Sequence, residues 1–247
     1  GSSKRARATA NRARRVVTVS EFSAGEIETL YGIPRERVVV IHNGVSEEFV
    51  PVRDEQVLAE LRARWAIPSA GFILFVGGAD PRKNHRVFLE AVAQSRSRLG
   101  GRAIVLVGDA EHPQGSYRTT AQSFGLEQDV RCTGRLDRED LRRLYSFADL
   151  FVFPSQYEGF GMPVLEAMAC GAPTITSSTS SLPEVAGDAA LLVAPDNVEA
   201  LGQAMVTVLS DQELRERFRQ RGLERARLFT WQHAALRTSA LYRELCG

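Results

Sequence analysis

Short apolar, β-branched runs alternate with longer stretches of helical spacing along most of the chain. "FILFVGG" (72–78), "AIVLVGD" (103–109), "VRCTGR" (130–135), "LFVFPS" (150–155), "PTITSS" (173–178) and "LLVA" (191–194) predict strands. Between them, residues 84–99, 116–126, 137–148, 163–170 and 197–210 carry apolar positions three and four apart and predict helices. Residues 211–229 and 230–245 close the chain as two more helices. Upstream, "RVVTVS" (15–20) and "RVVVIHNGV" (37–45) predict strands around a helix in 24–32, and 55–67 has helical spacing. Strands apolar on both faces, alternating with helices, imply an α/β fold: a Rossmann-like, doubly wound parallel sheet covered on both sides. In such sheets ligands bind beyond the carboxyl ends of the strands. The loops after Phe75, Val107, Thr133 and Phe153 are therefore the places to look.

The first of these loops, "GGADPRKN" (77–84), offers Gly77 and Gly78 for a tight turn, then Arg82 and Lys83 before a helix. It suits an anion, or it is a turn with two solvated cations. The second contains Gly108, which permits close approach, and polar residues Asp109, Glu111 and His112 whose spacing matches no standard metal site. In the third, Leu136 either lies under a nucleobase or caps the core. The fourth, "EGFGMPVLEAMACG" (158–171), is the most informative. Gly159 and Gly161 keep a loop, Pro163 suits the first helical position, and Gly171 suits the residue past the helix end. The amides of Phe160, Gly161 and Met162 then precede a helix N-terminus and can face an anion such as a diphosphate. Glu158 stands in the loop. Glu166 stands one turn into the helix, where the dipole favours its ionised form, and a carboxylate there can accept both hydroxyls of a ribose. Alone, each glutamate fits a structural role; together, flanking Gly-Phe-Gly at a sheet mouth, they point to a ligand. His42, beside the Asn43–Gly44 turn, is compatible with either kind of role, and His85 and His233 are expected in a helix's first turn and on the surface.

Composition narrows the classes. A formal net charge of +1 over 247 residues gives no signal for nucleic acid. The basic cluster Lys4, Arg5, Arg7, Arg12, Arg14 and Arg15 has no interleaved aromatic residue and predicts a solvated helix or a frayed end. Cys132, Cys170 and Cys246 form no CxxC pair, so neither a metal site nor a disulfide framework is expected. No apolar run is long enough to span a membrane. The absence of GxGxxG after "FILFV" argues against a dinucleotide-binding protein.

"YEGFGMPVLEAMACGAPTITS" (157–177) closely resembles the signature of the retaining glycosyltransferases of the GT-B fold, family 4, whose donor domain carries two glutamates separated by seven residues. "VTVSEFSAGEI", "VVVIHNGV", "FVGGADPRKN", "LRRLYSFADLFVFPS" and "LPEVAGDAALLVAPDN" resemble other parts of the same family, so the likeness covers nearly the whole chain. The resemblance implies a nucleotide-sugar donor as substrate, no metal and no cofactor. It puts Glu158 on the hydroxyls of the transferred sugar, as the catalytic carboxylate, and Glu166 on the ribose. Lys83 and the amides near Phe160–Met162 would bind the diphosphate, and Arg135 and Leu136 would lie beside the base. Gly77, Gly78, Arg82, Gly108, Gly159, Pro163 and Leu165 complete the implied donor site. Relatives place an arginine after the first strand's glycine as a second cation; Gly78 stands nearby here, and Arg82 is one substitute.

The same resemblance divides the chain into the end of an acceptor-binding domain with its linker (1–44), the donor-binding domain (45–230) and a crossover helix (231–247). It implies that the preceding acceptor domain is a missing partner. The isolated chain is then expected to bind donor and transfer poorly. The strand at Val16–Val19 is expected to have lost its sheet neighbours, pairing elsewhere or forming a homodimer through an exposed edge. The "PRKN" loop points to a mannosyltransferase using GDP-mannose, with UDP-linked donors as the other option. A non-catalytic nucleotide-sugar-binding module of the same fold is the competing function. A cytoplasmic location, with peripheral membrane contact as a variant, fits these expectations.

Overall fold

The computed structural model describes residues 2–112 and 115–246. The chain runs α1 (Ser2–Arg12), β1 (Val16–Thr18), α2 (Glu21–Tyr31), β2 (Val38–Val40), α3 (Glu55–Trp65), β3 (Phe72–Val76), α4 (His85–Ser95) and β4 (Ala103–Val107). A small antiparallel pair, β5 (Glu111–His112) and β6 (Gly115–Ser116), leads into α5 (Tyr117–Ser123) and β7 (Val130–Gly134). Then come α6 (Arg138–Phe147), β8 (Leu150–Phe153), α7 (Met162–Ala169), β9 (Thr174–Ser177), α8 (Leu182–Ala186) and β10 (Leu191–Val193). Helices α9 (Val198–Ser210), α10 (Gln212–Ala226) and α11 (Trp231–Cys246) end the chain.

Six strands form one parallel sheet in the order β10-β9-β8-β3-β4-β7. The expected doubly wound sheet is present, and the order shows where its direction of winding reverses. The chain goes outward from β3 to β4 and β7, then crosses back to β8 on β3's other side. The crevice between the ends of β3 and β8 is the switch point, where the loops carrying Lys83 and Glu158 meet. Alternation along each strand builds a core on each face. Phe72, Leu74, Val105, Phe151 and Phe153 point toward α3, α6 and α7, while Ile73, Phe75, Ile104, Leu106 and Val152 point toward α4, α5 and α9. Each fully buried side chain of this size contributes about 1.5–3 kcal/mol.

Around β1 the expectation holds in part: the strand is not left without a neighbour but takes the pairing outcome, in parallel with β2, Val16 opposite Val38 and Thr18 opposite Val40. Helix α2 is the crossover, and Ala24, Ile33, Val38 and Val40 make a small separate core beneath it. This unit joins the main body where Val45 bridges Thr230 and the Val45 amide donates to the Phe229 carbonyl at 3.0 Å. Helix α11 has no buried residue, and Trp231, Leu236 and Tyr242 are exposed. The described side chains of the basic cluster lie on or just beyond α1, mostly exposed; that of Lys4 lies outside the described residues. No helix among the described residues is long and apolar enough to cross a membrane.

Candidate functional site

Lys83 and Glu158 meet across the switch-point crevice, Nζ to Oε1 at 2.6 Å, with each side chain about one-fifth exposed or less (20% and 16%). Lys83 reaches there because the 3-10 turn Pro81–Lys83 is capped by Asp80, whose carboxylate accepts the Arg82 amide at 2.9 Å. Its aliphatic stem lies on Gly77, where an added Cβ would stand 3.0 Å from Lys83 Cγ. Its ammonium sits 5.1 Å from the centre of the Phe153 ring, a cation–π distance. Glu158 is fixed at three points. Ser155 Oγ donates to its Oε1 at 2.8 Å, its amide donates to Ser180 Oγ at 3.2 Å, and its carbonyl accepts Ser181 Oγ at 2.8 Å.

After Glu158 the backbone turns into α7. Gly161, at φ 106°, is the residue before the helix; its torsion requires glycine, and a Cβ there would also displace the Leu182 Cδ2 methyl, 2.7 Å away. The helix begins at Met162, one residue earlier than the sequence suggests, with Pro163 second. The amides of Phe160, Gly161 and Met162 donate to no acceptor among the described residues. Three orphan N–H groups at a helix start, beside an ammonium, make an anion-receptive surface.

The other loops are zipped to the first by backbone bonds. Gly77 N and Gly78 N donate to Val107 O, Ala79 N to Asp109 O, and Gly108 N to Gly134 O. Arg135 makes a bidentate pair with Asp109, at 2.5 and 2.7 Å, on an exposed surface. The Arg82 side chain is 65% exposed and pairs with Asp80 at 2.6 Å, while its carbonyl accepts Ser155 Oγ and the Gln156 amide, both at 2.9 Å. Leu136 and Met162 pack, half-buried, against the core cluster that contains Phe160 and Leu165. The side chain of His112, with Pro113 and Gln114, lies outside the described residues. Among the described residues no three His, Cys, Asp or Glu side chains come together in a set that could hold a metal ion.

Glu166 corrects the expectation drawn from the helix dipole. Burial pushes its carboxyl up to about 7 from an ordinary 4.5, against the opposing pull of the Tyr145 hydroxyl and the Arg138 charge. Tyr145 OH donates to its Oε2 at 3.4 Å. The dipole of a short helix contributes a few tenths to one kcal/mol, less than desolvation under α6. Its folded value lies above its unfolded value, so the neutral form stabilises the fold fully below pH 4.5. That contribution is lost as pH rises through about 7. Allowing for partial exposure, the span is about 2 kcal/mol. Glu166→Gln is therefore expected to gain about 2 kcal/mol on wild type between pH 4.5 and pH 8. Equal urea midpoint differences at both pH values would refute this.

Sequence reasoning missed a second layer. His42 Nε2 lies 2.7 Å from Glu184 Oε1, and the His42 ring faces Phe160 and Phe229 at 6.0 and 5.4 Å between centroids. Glu184 also accepts the amides of Glu21 and Phe22 at the start of α2. Ser20 and Ser23 reach Gly159. A serine just before a helical pattern is a recognisable N-cap signal, and "SEFS" (20–23) carries it.

Proteins of known family resemble this chain in sequence and in fold. Residues 59–225, more than half of the chain, match the family described as glycosyl transferases group 1, and residues 2–49 match glycosyltransferase family 4. O-antigen chain mannosyltransferase B of Escherichia coli is 35% identical over 94% of this chain, which spans 61% of that protein's length. Sucrose-phosphate synthase of Thermosynechococcus elongatus superposes with a TM-score of 0.80 at 30% identity, covering 97% of this chain and 60% of that one. Anabaena HepE, solved with UDP-glucose, superposes with a TM-score of 0.82 at 23% identity, covering 94% and 65%. The curated relatives are thus considerably longer than this chain. With the parallel sheet, the switch-point pair and a family match over most of the sheet, the chain belongs to the glycosyl transferases group 1 family, of GT-B architecture.

Proposed function

We propose that this chain is the donor-binding portion of a retaining hexosyltransferase. The observation that carries it is the Lys83–Glu158 pair across the switch-point crevice, set beside the three amides of residues 160–162. In this reading the diphosphate of a nucleotide sugar takes the Lys83 ammonium and the amides at the start of α7. Glu158 exchanges Lys83 for hydroxyls of the sugar. Glu166 accepts the ribose diol, and Leu136 and Arg135 flank the base. The C1–phosphate bond breaks as the acceptor oxygen bonds C1 on the same face, and the acceptor's proton passes to the departing diphosphate. Lys83 and the amides stabilise the charge that develops on that leaving group. The mannosyltransferase relative favours mannose as the sugar, and the "PRKN" loop favours its GDP ester; UDP donors have support from the UDP-glucose complex of a structural neighbour.

Thermal unfolding with GDP, UDP and their hexose esters tests the reading. A ligand at a hundred times its dissociation constant adds about 2.7 kcal/mol of stability. The largest shift is expected with GDP-mannose. No shift with any of the four would remove the donor site, and a UDP-only shift would change the base and sugar while keeping the site.

A further inference from the structure

Residues 157–159 are gripped by one end of α2, more than a hundred residues away in sequence. Ser20 is fully buried and caps α2, its Oγ accepting the Ser23 amide at 3.0 Å. The same Oγ donates to the Gly159 carbonyl at 2.7 Å, and Ser23 Oγ donates to that carbonyl at 3.1 Å. Next to them the Phe22 ring meets Tyr157 edge-on, 5.6 Å between centroids, and the Tyr157 hydroxyl donates to the Glu26 carboxylate. Helix α2 is itself anchored, since Glu184 holds its first two amides and His42.

A peptide unit is planar, with its N–H opposed to its C=O. Pinning the Gly159 carbonyl with two hydroxyls therefore orients the Phe160 amide, the first of the three orphan donors, away from α2. Glu158, one residue earlier, shares the same short loop, and its backbone is already held by Ser180 and Ser181. The loop's own sequence, with glycine at 159 and 161, has no rigidity of its own.

We propose that Ser20 and Ser23 are positioning residues for the donor loop, which makes the anion-receptive geometry of residues 158–162 dependent on the β1–α2 segment. The inference rests on the donor-binding reading above for its ligand, but its geometric part does not.

The test uses the whole chain and four proteins: wild type, Ser20→Ala/Ser23→Ala, Ser20→Thr and Gly32→Ala. Gly32 closes α2 at φ 67° with only an arginine tip nearby, so alanine there destabilises the helix without touching the loop. The double variant is expected to bind GDP or UDP, whichever wild type binds, about tenfold more weakly, about 1.4 kcal/mol. Exchange of the Glu158 amide, which is bonded to Ser180 Oγ in the same loop, should also quicken about tenfold. Ser20→Thr keeps the hydroxyl and should restore both values; Gly32→Ala should leave both unchanged. Wild-type affinity and exchange in the double variant would overturn the inference while leaving the donor site standing. Equal weakening in Gly32→Ala would reduce it to a stability effect and also overturn it. If wild type binds neither nucleotide, the donor reading fails first. Unchanged Glu158 amide exchange in the double variant then removes the positioning role as well.

Discussion

Lys83→Ala is expected to weaken nucleoside diphosphate binding by about thirty- to a hundred-and-fiftyfold, and Glu158→Gln is expected to leave it equal or tighten it. The two changes break the same 2.6 Å ion pair, so a merely structural bridge predicts effects of one sign. A donor site predicts opposite signs. Lys83 loses charge-assisted bonds to the diphosphate, worth about 2–3 kcal/mol in a partly buried setting. Its removal also leaves the Glu158 carboxylate uncompensated beside an incoming anion, which works in the same direction. Glu158→Gln does the reverse: it removes a negative charge next to the phosphates and frees the Lys83 ammonium. What the glutamine loses is the carboxylate that accepts sugar hydroxyls. The advantage of the sugar ester over the bare nucleoside diphosphate should therefore disappear in Glu158→Gln. Calorimetric titration of GDP, UDP and their hexose esters into the three proteins reads all of this. Weaker diphosphate binding in both variants would sink the assignment.

The elements that build this site differ in how they were written. Strands such as Phe72–Val76 and Leu150–Phe153 are legible because burial on both faces demands an unbroken apolar run, and that pattern is local. The corner from Glu158 to Gly171 is legible for a related reason: glycine, proline and two carboxylates each have a positional meaning at a strand-to-helix turn. Contacts made between distant elements leave no such trace. Nothing in "SEFS" announces that its hydroxyls meet Gly159, and nothing near Glu184 announces His42. The pairing of β1 with β2 was partly legible, because a strand, a helix and a second strand in close succession make a parallel unit of their own. Glu166 shows a competition the sequence cannot weigh. Its place in the helix was evident, but its charge state depends on Tyr145 and α6 lying over it, and burial outweighs the dipole.

Gly108→Ala should cost about 3–5 kcal/mol of stability, a fall of about 10 °C in melting temperature for a chain of this size. Two separate demands meet at this residue. Its φ is 119°, where an alanine is strained, and an added Cβ would stand 2.4 Å from the Gly78 nitrogen and 2.8 Å from its Cα. Neither neighbour can step aside freely. The Gly78 and Gly77 amides both donate to the Val107 carbonyl, and the Gly108 amide donates to Gly134. The methyl group must therefore push the loop after β3 away from the loop after β4. Since the former carries Lys83, the variant should also lose affinity for whichever nucleoside diphosphate the wild type binds, measured well below its melting temperature. Gly101→Ala separates the two demands. Its φ is 71° and no atom lies within 4 Å of the added Cβ, so it carries torsional strain alone, about 1 kcal/mol. Denaturant titration of the two variants side by side decides the matter: equal losses would mean that torsion, and not the close approach of the two loops, is what requires glycine at 108.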